Sequence, residues 1–383
     1  MSKVKIVKSK ENNYYIKGRR LPKGCKLCLK GQKAVLFLNG ICQRPTHCSW
    51  YCPISSKRKG KDLTFADEIQ INSKEGLLEE INKIDARGMS ITGGEPLSKL
   101  NLTKSLEYIK YVKLQKGHKF HIHLYTNGIN FNEITAEKLV SAGLDEIRFH
   151  PDKKNWPNIE YALDKGFDVG AEVPVIPSKE DLNILREFII YIDKIGVKFI
   201  NLNEFEYCFP NSQSLKQKNF HLKEGTIASV VKSQESALDL IKDLNKHVSL
   251  QIHFCSTAAK DYFQLKNRYL RRAKNIKLSY EVITDEGLLI FAQLEGNKGD
   301  LDKFYHLLLV EMKLDEKLVV YNGENIKLPL YISLDSQFIT LFESFQLKGY
   351  IIEITPFRGE KYQQETEKTP VKLFKKEFGF DAY

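Results

Sequence analysis

The chain has 383 residues, 42% apolar and 28% charged, an ordinary globular composition with room for one large α/β domain and a smaller companion. No apolar run approaches 18 residues and the lysine-rich N-terminus has no signal-peptide pattern, so neither a membrane-spanning nor a secreted protein is expected, but a cytoplasmic one. The net charge of +11 is uneven: residues 1–61 hold 16 Lys or Arg and one acid, Glu11, a balance of +15 that leaves −4 for the rest.

A basic N-terminal arm, 1–33, carries the pair Cys25-x2-Cys28. The apolar run 35–41 reads as a first strand. It runs directly into Cys42, Cys48 and Cys52, so five of the seven cysteines lie between positions 25 and 52. Such bunching suits metal binding in a reducing compartment better than a disulfide framework. Lys57, Arg58, Lys59 and Lys61 follow. They form either a solvated lysine-rich surface or an electropositive apron that attracts RNA or an acidic partner protein.

Helical and strand patterns then alternate. Helices are expected at 75–86, 102–113, 136–141, 156–165, 179–194 and 226–246. Strands are expected at 89–92, 120–125, 146–150, 168–175, 199–203 and 249–254. This alternation implies parallel strands with right-handed crossover helices, an α/β fold built as an open or closed (β/α) barrel. Chemistry in such barrels gathers at the carboxyl ends of strands. Four signals fall there: the cysteine loop, Gly93-Gly94-Glu95-Pro96, Asn127-Gly128 and His150-Pro151. A basic amphipathic linker helix is expected at 264–277. A small C-terminal α+β domain, 278–383, follows, with a hairpin around Asp285-Glu286-Gly287, a helix near 301–312 and strands at 317–321, 328–333 and 350–355. Its 18 acids against 12 bases argue against a nucleic-acid surface there.

Three thiolates on one loop can hold three irons of a four-iron cluster and leave the fourth open for inner-sphere chemistry. They can equally form a zinc knuckle completed by another Cys or His. Glycines at 93 and 94 let backbone approach a ligand without a Cβ in the way. A buried Glu172 needs a partner, which a cofactor hydroxyl can supply. Asn127 tolerates a turn conformation, so a plain turn explains it nearly as well as a ligand contact. His121, His123 and His150 read as satisfied core histidines. Cys25 and Cys28 need two further ligands to make a metal site, with Cys255 and His253, or Cys208, as candidates; otherwise they are two reduced cysteines in a turn.

The cysteine loop and Gly93-Gly94-Glu95-Pro96 together resemble the radical S-adenosylmethionine superfamily, most closely an archaeal-type group related to pyruvate formate-lyase activating enzymes. The resemblance extends from Leu21 to about position 275. It implies a partial (β/α)6 TIM-like barrel in which Cys42, Cys48 and Cys52 ligate a [4Fe–4S] cluster. S-adenosylmethionine would bind the open iron, with Gly93, Gly94, Glu95, Asn127 and Glu172 as its contacts. The implied activity is reductive cleavage of that cofactor to a 5′-deoxyadenosyl radical, with electrons from a ferredoxin or flavodoxin and an RNA or protein substrate favoured. Cys25, Cys28 and Cys255 would hold a second metal, zinc or an auxiliary cluster. The spacing C-x5-C-x3-C departs from the superfamily's usual C-x3-C-x2-C, so the loop path must differ, with Pro45 fixing a turn. The alternative from another class is a non-catalytic, zinc-stabilised RNA-binding protein.

Overall fold

The computed structural model describes residues 5–16, 18–43, 46–359 and 361–379. It separates into two compact units, Met1–Leu265 and Lys266–Tyr383.

The strands of the first unit are β1 (Ile6–Lys8), β2 (Tyr14–Ile16), β3 (Lys33–Phe37), β4 (Thr64–Ala66), β5 (Ile69–Ile71), β6 (Gly88–Thr92), β7 (His121–Thr126), β8 (Glu146–Phe149), β9 (Asp168–Val175), β10 (Phe199–Glu204) and β11 (Gln251–Cys255). They form one open sheet in the order β1-β2-β11-β10-β9-β8-β7-β6-β3-β4-β5. From β3 through β11 all neighbours pair in parallel, joined by six crossovers, which is the expected partial (β/α)6 barrel with a seventh strand at its end. Five of the six crossovers use α-helices: α2 (Lys74–Lys83), α3 (Leu102–Lys116), α4 (Glu133–Ala142), α5 (Lys179–Lys194), and the pair α6 (Ser212–Gln217) and α7 (Ser233–Leu244). The fourth, expected as an ordinary helix, is a 3-10 segment, Lys153–Ala162, with Pro157 inside. Proline removes a donor and crowds the preceding turn.

Local chemistry sets the helix ends. Asn132 caps α4 by accepting the Thr135 N–H, and Gly143 closes it in the left-handed region at φ 92°. Ser178 caps α5 at Asp181 N–H. The helix expected from 226 begins only at Ser233, after Lys232 turns the chain at φ 68°.

The N-terminal 33 residues are part of this unit. β2 pairs antiparallel with β11, Tyr15 opposite His253, and the short helix α1 (Lys23–Leu29) packs beside β6 and β7. Period-2 alternation gives each parallel strand two different faces. Met89, Ile91, Ile122, Leu124, Ile147, Ile200 and Ile252 join the crossover helices in one apolar core. The alternate positions are polar and still buried, among them His123, Arg148, Asn201 and His253. Central parallel strands are usually apolar on both faces, so a polar inner face marks where this barrel works.

The second unit opens with the helix Lys266–Ile276 and holds a six-stranded antiparallel sheet backed by Lys298–His306 and Ser336–Ser344. The hairpin lies where expected, Val282–Ile283 against Leu289–Glu295. The strand expected at 328–333 does not form: Asn325–Leu328 is the strand, and Pro329 starts a helical turn, Leu330–Ser333. The strand Glu365–Pro370, an edge strand with charges at Glu365, Glu367 and Lys368 and no apolar alternation, was not legible as one.

Candidate active site

The cysteine loop is positioned by backbone pairing just beyond the ends of β3 and β6. The Gly94 N–H donates to Asn39 O at 2.7 Å and the Glu95 N–H to Ile41 O at 2.9 Å, so Cys42 leaves the sheet directly beside Glu95. The two glycines serve this approach. A Cβ on Gly93 would lie 2.4 Å from Asn39 O, and one on Gly94 2.0 Å from Ile41 O. The close neighbour is thus the cysteine loop itself, not only a ligand. Asn39 and Asn101, which sequence reasoning missed, lock this junction: their amides pair reciprocally at 2.7 and 3.0 Å, and Asn101 also donates to Glu95 O at 2.9 Å.

Glu95 is buried and fully engaged by protein donors. It accepts from Thr126 Oγ1 at 2.7 Å, Asn127 N–H at 2.7 Å and Leu97 N–H at 2.9 Å. Burial outweighs these bonds and pushes its pKa up to about 6. Asn127 in turn accepts the Ile129 N–H on its side-chain oxygen, an Asx turn, and its amide nitrogen reaches Gln43 at 3.3 Å.

These elements open into one cavity of about 520 Å³ at the carboxyl ends of the strands, lined by Cys42, Cys48, Cys52, Gly93, Gly94, Glu95, Asn127 and Glu172 among others. Aromatic packing anchors the far side of the cysteine loop. Trp50 stacks on Phe220, Tyr51 O accepts from Asn211 Nδ2 at 3.0 Å, and Tyr51 OH contacts His150 Nε2 at 2.9 Å. His150, read as a core histidine, lies at the cavity instead. Arg44 and Pro45, including the turn expected at Pro45, fall outside the described residues.

The seven cysteines are free thiols. Burial, followed by the charges of Glu95, Cys48 and Cys52, pushes Cys42 up to about 12. Three thiols and a carboxylate converging on one cavity without a cation resist joint ionisation, and a metal centre removes that penalty. The donor set therefore fits an iron–sulfur cluster. Among the described residues no three His, Cys, Asp or Glu side chains converge on one metal position, whereas a four-iron cluster asks each thiolate to reach an iron of its own.

Deeper in the barrel a second cavity, of about 170 Å³, is lined by Cys25, Cys28, Cys255, His253, Gln264 and Lys33 among others. Beside it Arg148 Nε donates to Glu146 at 2.6 Å and Nη1 to Glu172 at 2.5 Å, while Asn201 and Asn203 donate to Glu172 at 2.9 and 3.1 Å. Glu172 is half-buried, and the partner expected for it is supplied by the protein. Burial alone would raise its pKa, but Arg148 and the amides hold it down at about 2. Cys208 is not with this group: it lies at the other end, where burial and then Glu206 and Cys52 raise its pKa.

The basic apron is thinner than its sequence. Arg19 donates to the carbonyls of Val248 and Leu250, Lys33 lines the barrel cavities, and Arg58 lies 3.8 Å over the Phe65 ring. No helix among the described residues is long and apolar enough to cross a membrane.

The chain is similar to several known proteins. The model of the Radical SAM superfamily matches residues 42–156. A protein of Methanocaldococcus jannaschii, provisionally named glycyl-radical enzyme activating enzyme MJ0021, is 35% identical over 369 residues, 92% of this chain and 93% of that protein. A Methanococcus maripaludis protein provisionally named GTP 3′,8-cyclase is 32% identical over 38% of this chain and 51% of its own length. Among solved structures, Streptococcus suis SuiB bound to S-adenosylmethionine aligns with 67% of this chain and 59% of that one, at 13% identity and a TM-score of 0.38.

Proposed function

Because the chain belongs to the radical S-adenosylmethionine superfamily, we propose that it activates a partner protein by removing a hydrogen atom from a backbone glycine. The cofactors of this enzyme class are a [4Fe–4S] cluster and S-adenosylmethionine. When bound and reduced, they supply a 5′-deoxyadenosyl radical, formed with methionine by one-electron cleavage of the sulfonium.

The observation that carries the reading is the meeting of Cys42, Cys48 and Cys52 with Gly93-Gly94-Glu95 in one cavity at the barrel's carboxyl face. In this reading the three thiolates hold the cluster. Glu95 keeps the ends of β6 and β7 at fixed separation, and Asn127 presents its turn to the cofactor's ribose. Tyr51 and His150 close one wall and help exclude water from the radical.

A protein substrate is favoured by the relative that shares nearly the whole chain length. The withdrawal of Arg19, Lys33 and Arg58 from the apron weakens the case for RNA. A soluble one-electron donor, a ferredoxin or flavodoxin, completes the system. The test uses an extract of source cells grown on α-deuterated glycine, incubated with enzyme, S-adenosylmethionine and reductant. Deuterium in the recovered 5′-deoxyadenosine supports glycine as the hydrogen source. Deuterium-free product formed in the presence of extract contradicts it.

A further inference from the structure

The second cavity contains a nitrogen whose protonation state follows from its neighbours. Asn201 Nδ2 donates to the Glu172 carboxylate at 2.9 Å and lies 3.2 Å from Cys25 Sγ. A carboxylate only accepts, so the Asn201 amide cannot be flipped, and its Oδ1 faces His253 Nδ1 at 3.2 Å. His253 must therefore carry its proton on Nδ1, which leaves a bare lone pair on Nε2. A second proton, on Nε2, would find no acceptor among the described residues, so the ring is neutral. His253 is 1% exposed, and Nε2 has no hydrogen-bond partner among the described residues. Buried lone pairs are normally satisfied. A histidine whose Nδ1–H is held by an outer carbonyl oxygen is the usual form of a metal-binding imidazole.

The same cavity is lined by three thiols that the main site does not use. The Gln264 amide links two of them: the Cys28 S–H donates to Oε1 at 2.7 Å, and Nε2–H lies 3.5 Å from Cys255 Sγ. Gln264 is only half-buried and belongs to a π-helical segment, Lys260–Leu265, a local form that recurs at functional sites. Swinging this one side chain out frees both sulfurs. From these contacts we propose a second metal site, in which Cys25, Cys28, Cys255 and His253 Nε2 bind one zinc ion tetrahedrally.

Charge supports the ligand set. Zinc with three thiolates and a neutral imidazole carries one net negative charge. The Lys33 ammonium lines this cavity with no ion-pair partner among the described residues, and Arg148 Nη2 lies 3.6 Å from Cys25 Sγ. The site would staple α1 to the end of β11 and so fix the N-terminal segment on the barrel. Three protein sulfurs and one nitrogen leave no open position, which makes the site structural rather than catalytic.

The test removes the main site so that the two readings separate. The full-length chain with Cys42→Ala, Cys48→Ala and Cys52→Ala is purified anaerobically and assayed for zinc, iron and sulfide, and then for cobalt binding by absorption. One zinc per chain is expected, along with the visible bands of tetrahedral cobalt and thiolate charge transfer. Adding Cys28→Ala or His253→Gln should weaken cobalt binding at least about tenfold. Gln264→Ala removes no ligand and should leave the affinity unchanged or raised, which keeps the test sound if a ligand variant misfolds. Absence of zinc in the folded triple variant, iron and sulfide in its place, zinc binding indifferent to Cys28 and His253, or binding lost in folded Gln264→Ala would each overturn the assignment.

Discussion

The Glu95 carboxylate accepts the backbone N–H of Asn127 at 2.7 Å, and through this bond the loop after β6 dictates where the turn after β7 stands. With the Glu95 N–H donated to Ile41 O, one residue ties three strand ends together. Glu95→Gln keeps the shape but turns an amide donor toward donors. A buried donor left unmatched costs about 1–3 kcal/mol. Binding of S-adenosylmethionine to the reconstituted protein should weaken about 10- to 100-fold, measured by anaerobic equilibrium dialysis.

Gly94→Ala tests the junction from the other side. The added methyl would lie 2.0 Å from Ile41 O, so the segment leading into Cys42 must move. Iron content after reconstitution should fall below about half of wild type. Gly299→Ala, where the nearest atom is Asn297 Oδ1 at 3.6 Å, should leave it unchanged. Equal iron in both variants would separate the glycines from cluster assembly.

The Glu172–Arg148 pair sets an acid limit. Glu172 titrates at about 2 in the fold against an ordinary 4.5. Between those values the unfolded chain binds more protons, so stability falls as pH falls through the window and is fully present above about 4.5. The loss is on the order of 3 kcal/mol. Glu172→Gln should flatten that part of the stability–pH profile, read from urea midpoints between pH 5 and 3.

Lys57 and Lys61 are exposed beside the cysteine loop. Reversing both to Glu should lower turnover driven by a flavodoxin several-fold at low salt, while leaving dithionite-driven turnover unchanged. An equal effect on both reductants would place these lysines in the active site rather than at a docking surface.

Much of the catalytic face was legible because its signals lie in loops, where residue type speaks for backbone geometry. Cys42, Cys48, Cys52 and Gly93-Gly94-Glu95 follow strands whose apolar runs are plain. On the inner face of the barrel Glu172 and His253 were singled out, but not their pairing with Arg148 and Asn201. Arg148, Glu172, Asn201 and His253 sit one per strand, dozens of residues apart, and only the register of parallel pairing brings them together. A lone polar residue in a strand carries no signal of its partners. Asn39 and Asn101 were missed for a related reason: an asparagine just past a strand, or just before a helix as Asn101 is before α3, reads as a turn or cap residue. The role expected of Glu95 as a cofactor partner overlooked three protein donors, and the purpose of the glycines lay partly in the loop beside them.

The proposed function requires first that this cavity cleave S-adenosylmethionine. The direct measurement is 5′-deoxyadenosine released by the anaerobically reconstituted and reduced protein, beside its Cys48→Ala variant. Product is expected from the wild type and at least about 100-fold less from the variant, and the wild-type protein should be brown and carry four irons per chain at the cluster site. A wild type that holds its cluster and yields no 5′-deoxyadenosine, or a variant that yields as much, would contradict it.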